Sequence, residues 1–275
     1  MKSIEGDAMP ERTGYAHGVP SWVDLGTTDV EDAKRFYGAV FGWEADDQPT
    51  DQGVPYTMFA KDGKTVAGMG PIPPDQAAAG MPPMWNTYLN VDNVDDALAK
   101  VTAAGGTVVM PAMDVMEAGR MAFVADTTGA AFGLWEAGNH FGAQLVNEHG
   151  SLAWNELLTD DTAAAAKFYE EAFGFQSEVS ETPNGPYTSF WADGNVEGNA
   201  AAGMMPKNEG MGPIPNYWGV YFGVDNVDAS VGDVQANGGN VIMPGMDIPG
   251  VGRIAVVQDP QGAVFTIMTF TNEQK

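Results

Sequence analysis

Two short stretches place an aromatic ring beside a carboxylate. In PSWVDLGTTDV (20–30), Trp22 stands two residues before Asp24, and in SLAWNELLTDD (151–161), Trp154 stands two residues before Glu156. Each is an apolar run ending in a Thr-Asp, the pattern of a strand that leads into a helix cap. Side chains at i and i+2 of a strand share a face, so each Trp lies next to an acid. Burial among aromatic rings disfavours the charged carboxylate and raises its pKa toward the range of a general base. The same group can hold a ligand amine or hydroxyl instead. A structural role competes with both: Asp24 and Glu156 hydrogen-bond backbone groups or pair with Arg120 or Arg253, and the Trp rings fill space.

These stretches recur because the chain repeats. RFYGAVFGWE (35–44) matches KFYEEAFGFQ (167–176) at an offset of 132 residues, and segment 105–135 matches 238–268 at 15 of 31 positions. The chain is thus expected to be two homologous domains, 17–137 and 150–271, after an arm at 1–16 and with a linker at 138–149. Each domain divides again. In the first half, a strand at 21–27 precedes a helix at 30–41, capped by Thr28 or Asp29, with Ala33, Phe36, Tyr37 and Val40 on one face. Strands follow near 43–48, 55–60 and 65–71. In the second half, WNTYLNV (85–91) leads to a helix at 94–104 capped by Asp92 or Asn93, then strands near 107–110, 119–126 and 130–136. Domain two places its strands at 152–158 and 217–224 and its helices at 162–173 and 227–237. The prediction is an α+β chain of four βαβββ modules. Two modules pair so that their sheets curve around a cup, with the helices outside. Such a cup suits a small molecule.

Composition narrows the partners. Lys and Arg number 12 against 37 Asp and Glu, a net charge of −25, which repels nucleic-acid phosphates and anionic membrane surfaces. Neither nucleic acid nor membrane is an expected partner. With no cysteine, thiolate nucleophiles, disulfides and Cys-ligated metals are excluded. There is no apolar run of membrane-spanning length and no apolar signal segment near the N-terminus, so a cytoplasmic protein with a mobile polar arm is expected. No phosphate loop, dinucleotide fingerprint or G-x-S-x-G elbow occurs, and no cofactor is expected.

The motif D-x(6)-FY followed by FGW or FGF, with a D-x-x-G turn before the last strand, resembles the vicinal oxygen chelate superfamily. That group includes glyoxalase I, bleomycin-resistance proteins and extradiol dioxygenases. The motif stands here as Asp29, Phe36, Tyr37, Phe41, Gly42 and Trp43, and again as Asp161, Phe168, Tyr169, Phe173, Gly174 and Phe175, with turns at 126–129 and 259–262. WNELLT-D and the tandem order are similar to a two-domain actinobacterial group that carries hydroxylase and glyoxalase-like-antigen labels. The resemblance implies two glyoxalase-like cups. It also implies metal-ligand positions on the first, fifth and eighth strands. Those positions hold Trp22, Asn86 and Gly133 in domain one, and Trp154, Gly219 and Thr266 in domain two, so no family-type metal is expected. The three histidines, His17, His140 and His149, fall in the arm and linker, and a draped linker would bring His140 to a cup mouth.

Alternation then assigns the cup walls. Trp22, Asp24, Asn86, Tyr88, Asn90, Gly133 and Trp135 face cup one, while Trp154, Glu156, Gly219, Tyr221, Gly223, Thr266 and Met268 face cup two, which has more glycine and is expected to be roomier. Trp and Tyr faces offer area and their polar ends orientation. Arg120 and Arg253 stand in equivalent G-R positions, either as a clamp for a ligand carboxylate or carbonyl or as structural partners of acids. Segments 68–84 and 198–215, rich in Gly, Pro and Met, are candidate lids. Two functional readings follow. One is a metal-free binder of a hydrophobic or aromatic metabolite or drug. The other is a metal-independent isomerase, lyase, cyclase or hydroxylase-type enzyme with Glu156 or Asp24 as general base. A monomer is adequate for either, and a homodimer is compatible with both.

Overall fold

The computed structural model describes residues 11–51, 53–192 and 200–270. Residues 1–10 of the arm, residues 198 and 199 of the second candidate lid, and residue 271 lie outside them. Domain one comprises β1 Pro20–Thr27, α1 Val30–Phe41, β2 Glu44–Gln48, β3 Tyr56–Lys61, β4 Lys64–Pro71, α2 Pro74–Ala78, β5 Met84–Asn90, α3 Val94–Ala103, β6 Thr107–Val115, β7 Gly119–Ala125 and β8 Ala131–Ala137. Domain two comprises β9 Leu152–Thr159, α4 Thr162–Phe173, β10 Gln176–Thr182, β11 Gly185–Trp191, β12 Ala202–Pro206, β13 Tyr217–Gly223, α5 Val227–Ala236, β14 Asn240–Ile248, β15 Gly252–Gln258 and β16 Val264–Phe270. Each domain builds one eight-stranded sheet, in the orders β2-β3-β4-β1-β5-β8-β7-β6 and β10-β11-β12-β9-β13-β16-β15-β14. The two modules of a domain meet at one antiparallel seam, β1 with β5 and β9 with β13. The fold is α+β, two glyoxalase-like domains.

Local signals explain the element ends. Asp29, Asn93, Asp161 and Asn226 are the caps, each accepting a hydrogen bond from the backbone N–H three residues on. Gly42 and Gly174 close α1 and α4 with positive φ of 72° and 71°, a conformation that costs glycine nothing. Two segments differ from expectation. Strand β6 continues through Pro111 to Val115, with register shifts between Val108 and Met113. It lies at the sheet edge, where a missing N–H breaks no ladder. Segment 68–84 also holds less free loop than expected, because β4 takes its start and the short helix α2 its middle.

Helices α1, α3, α4 and α5 lie outside the cups, between the two sheets. There α1 packs on α5 and α3 on α4, so each core mixes both domains. Phe41 meets Phe222 at 5.2 Å, and Phe132 meets Phe173 at 5.8 Å. At the centre of each core, the motif tyrosine of one domain hydrogen-bonds the turn aspartate of the other. Tyr37 donates to Asp259 at 3.0 Å, and Tyr169 to Asp126 at 3.1 Å. Trp85 and Trp218 in turn donate their indole N–H to those tyrosines, at 3.0 and 2.9 Å. The D-x(6)-FY and D-x-x-G motifs therefore join the two domains to each other.

Residues 11–16 of the arm are pinned, contrary to the expected mobile segment. Glu11 bridges Leu145, Arg12 N–H donates to Gln144 O at 2.9 Å, and Tyr15 donates to Ala143 O at 2.7 Å. Among the described residues, no helix is long and apolar enough to cross a membrane.

Candidate functional site

Each cup is built around one carboxylate. In cup one, Asp24 on β1 accepts hydrogen bonds from Asn86 and Tyr88 on β5, both at 2.9 Å, and from Tyr56 on β3 at 3.2 Å. Trp22 donates its indole N–H to the same Tyr56 at 3.1 Å. Cup two repeats the arrangement. Glu156 on β9 accepts from Tyr221 on β13 and from Tyr187 on β11, and Trp154 donates to Tyr187 at 3.0 Å. Sequence reasoning brought together Trp22, Asp24, Asn86 and Tyr88, and likewise Trp154, Glu156 and Tyr221. It missed Tyr56 and Tyr187, which complete each network. It also missed Tyr217, which lies close enough for the charge of Glu156 to raise its pKa. A signal was present: P-Y-T-x-F occurs at 55–59 and again at 186–190.

Two glycines make room for those tyrosines. A Cβ on Gly68 would overlap the Tyr56 hydroxyl, and one on Gly203 would overlap that of Tyr187 and lie 2.9 Å from Trp154 Nε1. Gly68 and Gly203 occupy matching A-G-M triplets on β4 and β12. The rings can therefore lie flat across bare backbone and reach the acids.

Burial sets the electrostatics. Desolvation pushes both Asp24 and Glu156 above the usual carboxylate range, and the hydrogen bonds from their partners offset part of that rise. Tyr56, Tyr88, Tyr187 and Tyr221 are pushed well above the ordinary phenol value, first by burial and then by the neighbouring acid. Each site thus favours a shared, protonated network.

The cups differ at the mouth. Linker residues 138–143 run from β8 across cup one to β1, held by Gly138 and His140 N–H to Ala118 O and by Ala143 N–H to Ser21 O. His140 sits edge-on to Trp22 with ring centroids 4.4 Å apart, and Trp135 donates to its carbonyl at 2.8 Å. Burial lowers the imidazole pKa to about 4, so it is neutral near pH 7, and its Nε2 is buried without a partner. Under this roof Trp22 and Tyr88 are each 4% exposed, while Asp24, Tyr56 and Asn86 are half-buried. In cup two, Trp154, Tyr187, Tyr217 and Tyr221 are all half-buried. Met268, 4% exposed, takes the place that Trp135 takes in cup one. Asn90 turns to the arm instead, donating to Tyr15 O at 2.9 Å.

Arg120 and Arg253 do not reach the cups. Arg120 pairs with Asp114 at 2.7 Å and Asp95 at 3.3 Å, and Arg253 with Asp247 and Asp228, both at 2.9 Å. Asp95 and Asp228 open helices α3 and α5, so both guanidinium groups face the helix side of the sheet. The clamp reading is set aside, as is any pairing of these arginines with Asp24 or Glu156. Two surface hollows of about 500 and 280 Å³ lie along the arm and linker. The first is lined mainly by charged side chains, among them Lys64 and Glu11, which pair at 2.9 Å, and the second mainly by uncharged residues of the arm, β5 and β8.

A family model described as Glyoxalase/Bleomycin resistance protein/Dioxygenase superfamily matches residues 20–134 and again 151–267. The chain belongs to this superfamily. A relative from Mycobacterium tuberculosis named "Putative glyoxylase CFP32" is 48% identical over 94% of this chain and 98% of its own. The "Anthracycline biosynthesis protein DauV" of a Streptomyces species is 35% identical, covering 93% of this chain and 94% of its own. Among solved structures, the fold matches the 2,3-dioxygenase LapB of Pseudomonas sp. KL28 with TM-score 0.62 at 17% identity, covering 93% of each chain. It also matches a Mn(II)-bound glyoxalase of Novosphingobium aromaticivorans with TM-score 0.62 at 16% identity, covering 94% of this chain and 84% of that one.

The superfamily's metal does not fit these cups. The three implied ligand positions hold Trp22, Asn86 and Gly133, or Trp154, Gly219 and Thr266, and indole and glycine offer no ligand atom. Asn86 already binds Asp24. Among the described residues, no three His, Asp or Glu side chains converge as a metal site would require. At three of these positions Trp22, Asn86 and Trp154 instead hydrogen-bond the tyrosine–carboxylate networks.

Proposed function

We propose that cup two binds a flat, largely apolar small molecule against Trp154, using the phenol–carboxylate network for orientation and no resident metal. One observation carries this reading: a half-buried wall of Trp154, Tyr187, Tyr217 and Tyr221 surrounds the buried carboxylate of Glu156. Cup one is its structural twin, with His140 packed against Trp22. Rings of this kind give stacking area while their polar ends orient the ligand. The name of the Streptomyces relative supports the class, since an anthracycline is a fused-ring aromatic compound. The strong negative charge disfavours nucleic acid and anionic membrane surfaces as partners, and a cytoplasmic protein acting as a monomer on a small molecule is the form proposed.

Titration with fused-ring probes such as 1-naphthol and anthraquinone-2-methanol, read by tryptophan fluorescence and calorimetry, tests this function. Saturable binding that Trp154→Ala weakens and Trp22→Phe leaves unchanged is expected. No saturable binding to any probe, or binding indifferent to Trp154→Ala, overturns it.

The raised pKa of Glu156 favours a second reading, a metal-independent enzyme in which this carboxylate relays a proton to or from the bound molecule. There Glu156→Gln keeps ligand binding and loses turnover. Unchanged turnover in that variant removes the role.

A further inference from the structure

The two carboxylates differ in how many of their acceptor positions are filled. Asp24 accepts from three side chains, Asn86, Tyr88 and Tyr56. Among the described residues, Glu156 accepts from two, Tyr221 and Tyr187. An ionised carboxylate offers roughly four lone-pair sites. The strand register identifies the missing donor, for Asn86 pairs with Asp24 across β1 and β5, and Gly219 pairs with Glu156 across β9 and β13. At this register position cup two therefore lacks the amide that cup one has.

Packing does not demand that glycine. A Cβ on Gly219 would meet Glu156 O and Leu158 Cδ1 at 3.5 Å and Tyr217 Cε2 at 3.6 Å, all ordinary contacts. Gly203 and Gly133 differ, because a Cβ there would overlap Tyr187 or Tyr88. Position 219 thus has room for a side chain that the sequence does not supply. Around it stand Trp154, Tyr187, Tyr217 and Tyr221, whose ring faces attract cations. Arg253 is held on the helix side by Asp247 and Asp228, so it brings no positive charge to the cup. A chain of net charge −25 also concentrates cations near its surface.

We propose that Glu156 and these rings form a subsite for the protonated amine of an aromatic ligand, its ammonium standing where Asn86 stands in cup one. This rests on the aromatic-ligand reading of cup two and adds the charge of the ligand. The titratable groups facing Glu156 are Tyr187 on β11 and Tyr217 and Tyr221 on β13. Gly203 on β12 and Thr266 on β16 do not titrate. All three phenols stay protonated near neutral pH. Burial raises the Glu156 pKa in the free protein, and an arriving ammonium lowers it. Binding of an amine that arrives charged is therefore coupled to loss of a proton wherever Glu156 holds one.

The test compares 1-naphthylmethylamine with the neutral 1-naphthylmethanol by calorimetry on the full chain, in two buffers of different ionisation enthalpy. The amine is expected to bind at least about tenfold more tightly than the alcohol, with proton release wherever the free Glu156 holds a proton. Glu156→Gln and, separately, Gly219→Asn should each abolish that preference while leaving alcohol binding in place. Gly219→Asn is the variant that keeps the carboxylate and supplies the amide of cup one. Equal affinities, or a preference that survives both variants, overturn the amine subsite while the aromatic cup stands. Binding of neither probe overturns both readings.

Discussion

Replacing Tyr37 by Phe tests how the two domains are joined. The ring keeps its place in the core and only the hydroxyl is lost. That hydroxyl donates to Asp259 at 3.0 Å and accepts from Trp85 Nε1 at 3.0 Å. Asp259 retains backbone donors on its other oxygen, from Gln261, Gly262 and Ala263 at 3.0, 2.8 and 2.8 Å. Its second oxygen and the Trp85 N–H are left buried without those partners. An unsatisfied buried group costs about 1–3 kcal/mol, so the variant should lose roughly 2–5 kcal/mol. Urea denaturation followed by near-ultraviolet circular dichroism measures this, with a lowered midpoint at unchanged m-value. Tyr169→Phe should lose a similar amount, because Asp126 and Trp218 repeat the arrangement in the other direction. Each lock ties one domain to the other, so both variants should unfold in a single transition. A loss below about 0.5 kcal/mol would refute the reasoning, since that is less than one typical net hydrogen bond. Two separated transitions would refute the interlocked cores.

Other substitutions probe the cups. Gly203→Ala places a Cβ 2.6 Å from Tyr187 Cζ, so the ring must leave Glu156 and Trp154. Overpacking with lost hydrogen bonds should cost roughly 2–4 kcal/mol in thermal or urea unfolding, and naphthol binding should weaken in parallel. Burial raises the native pKa of Glu156, so the folded state holds its proton more tightly than the unfolded chain does. That stabilisation is complete below the unfolded value, near pH 4, and is lost as pH rises through the raised native value. Glu156→Gln should therefore gain melting temperature relative to the parent between pH 4 and pH 8, and a constant difference across that range would contradict the buried charge. For His140 the sign is opposite: its native pKa of about 4 adds stability above the unfolded value, and that stability is lost as pH falls toward about 4. Imidazole NMR signals should report a neutral ring at pH 5.5, whereas a midpoint near 6.5 would contradict its place under the roof of cup one.

Much of this architecture was written in short-range pattern. The helix at 30–41 was legible from its apolar stripe, its Asp29 cap and its closing Gly42, and all three act as their chemistry requires. The Trp-x-acid doublets were legible because period-two alternation fixes a shared strand face. Tyr56 and Tyr187 were not found, because a strand residue reaches its site through sheet order. β3 and β11 stand two strands away from the acids they serve. The repeated P-Y-T-x-F held the information, but its role appears only once β4 and β12 intervene with a glycine. The packing of the two domains on each other was hidden for a related reason, since Tyr37 and Asp259 lie 222 residues apart. Arg120 looked available for a ligand because its sequence neighbours do not include Asp95, which the turn of β6 and β7 over α3 brings within 3.3 Å.

The most direct measurement of cup two as the ligand site is a crystal structure of the full chain soaked with 1-naphthol. Density for the ring is predicted against Trp154, with its hydroxyl toward Glu156 and Tyr221 and His140 still packed against Trp22 in cup one. Density confined to cup one or to the arm-and-linker hollows, with cup two empty at saturating probe, would contradict that assignment.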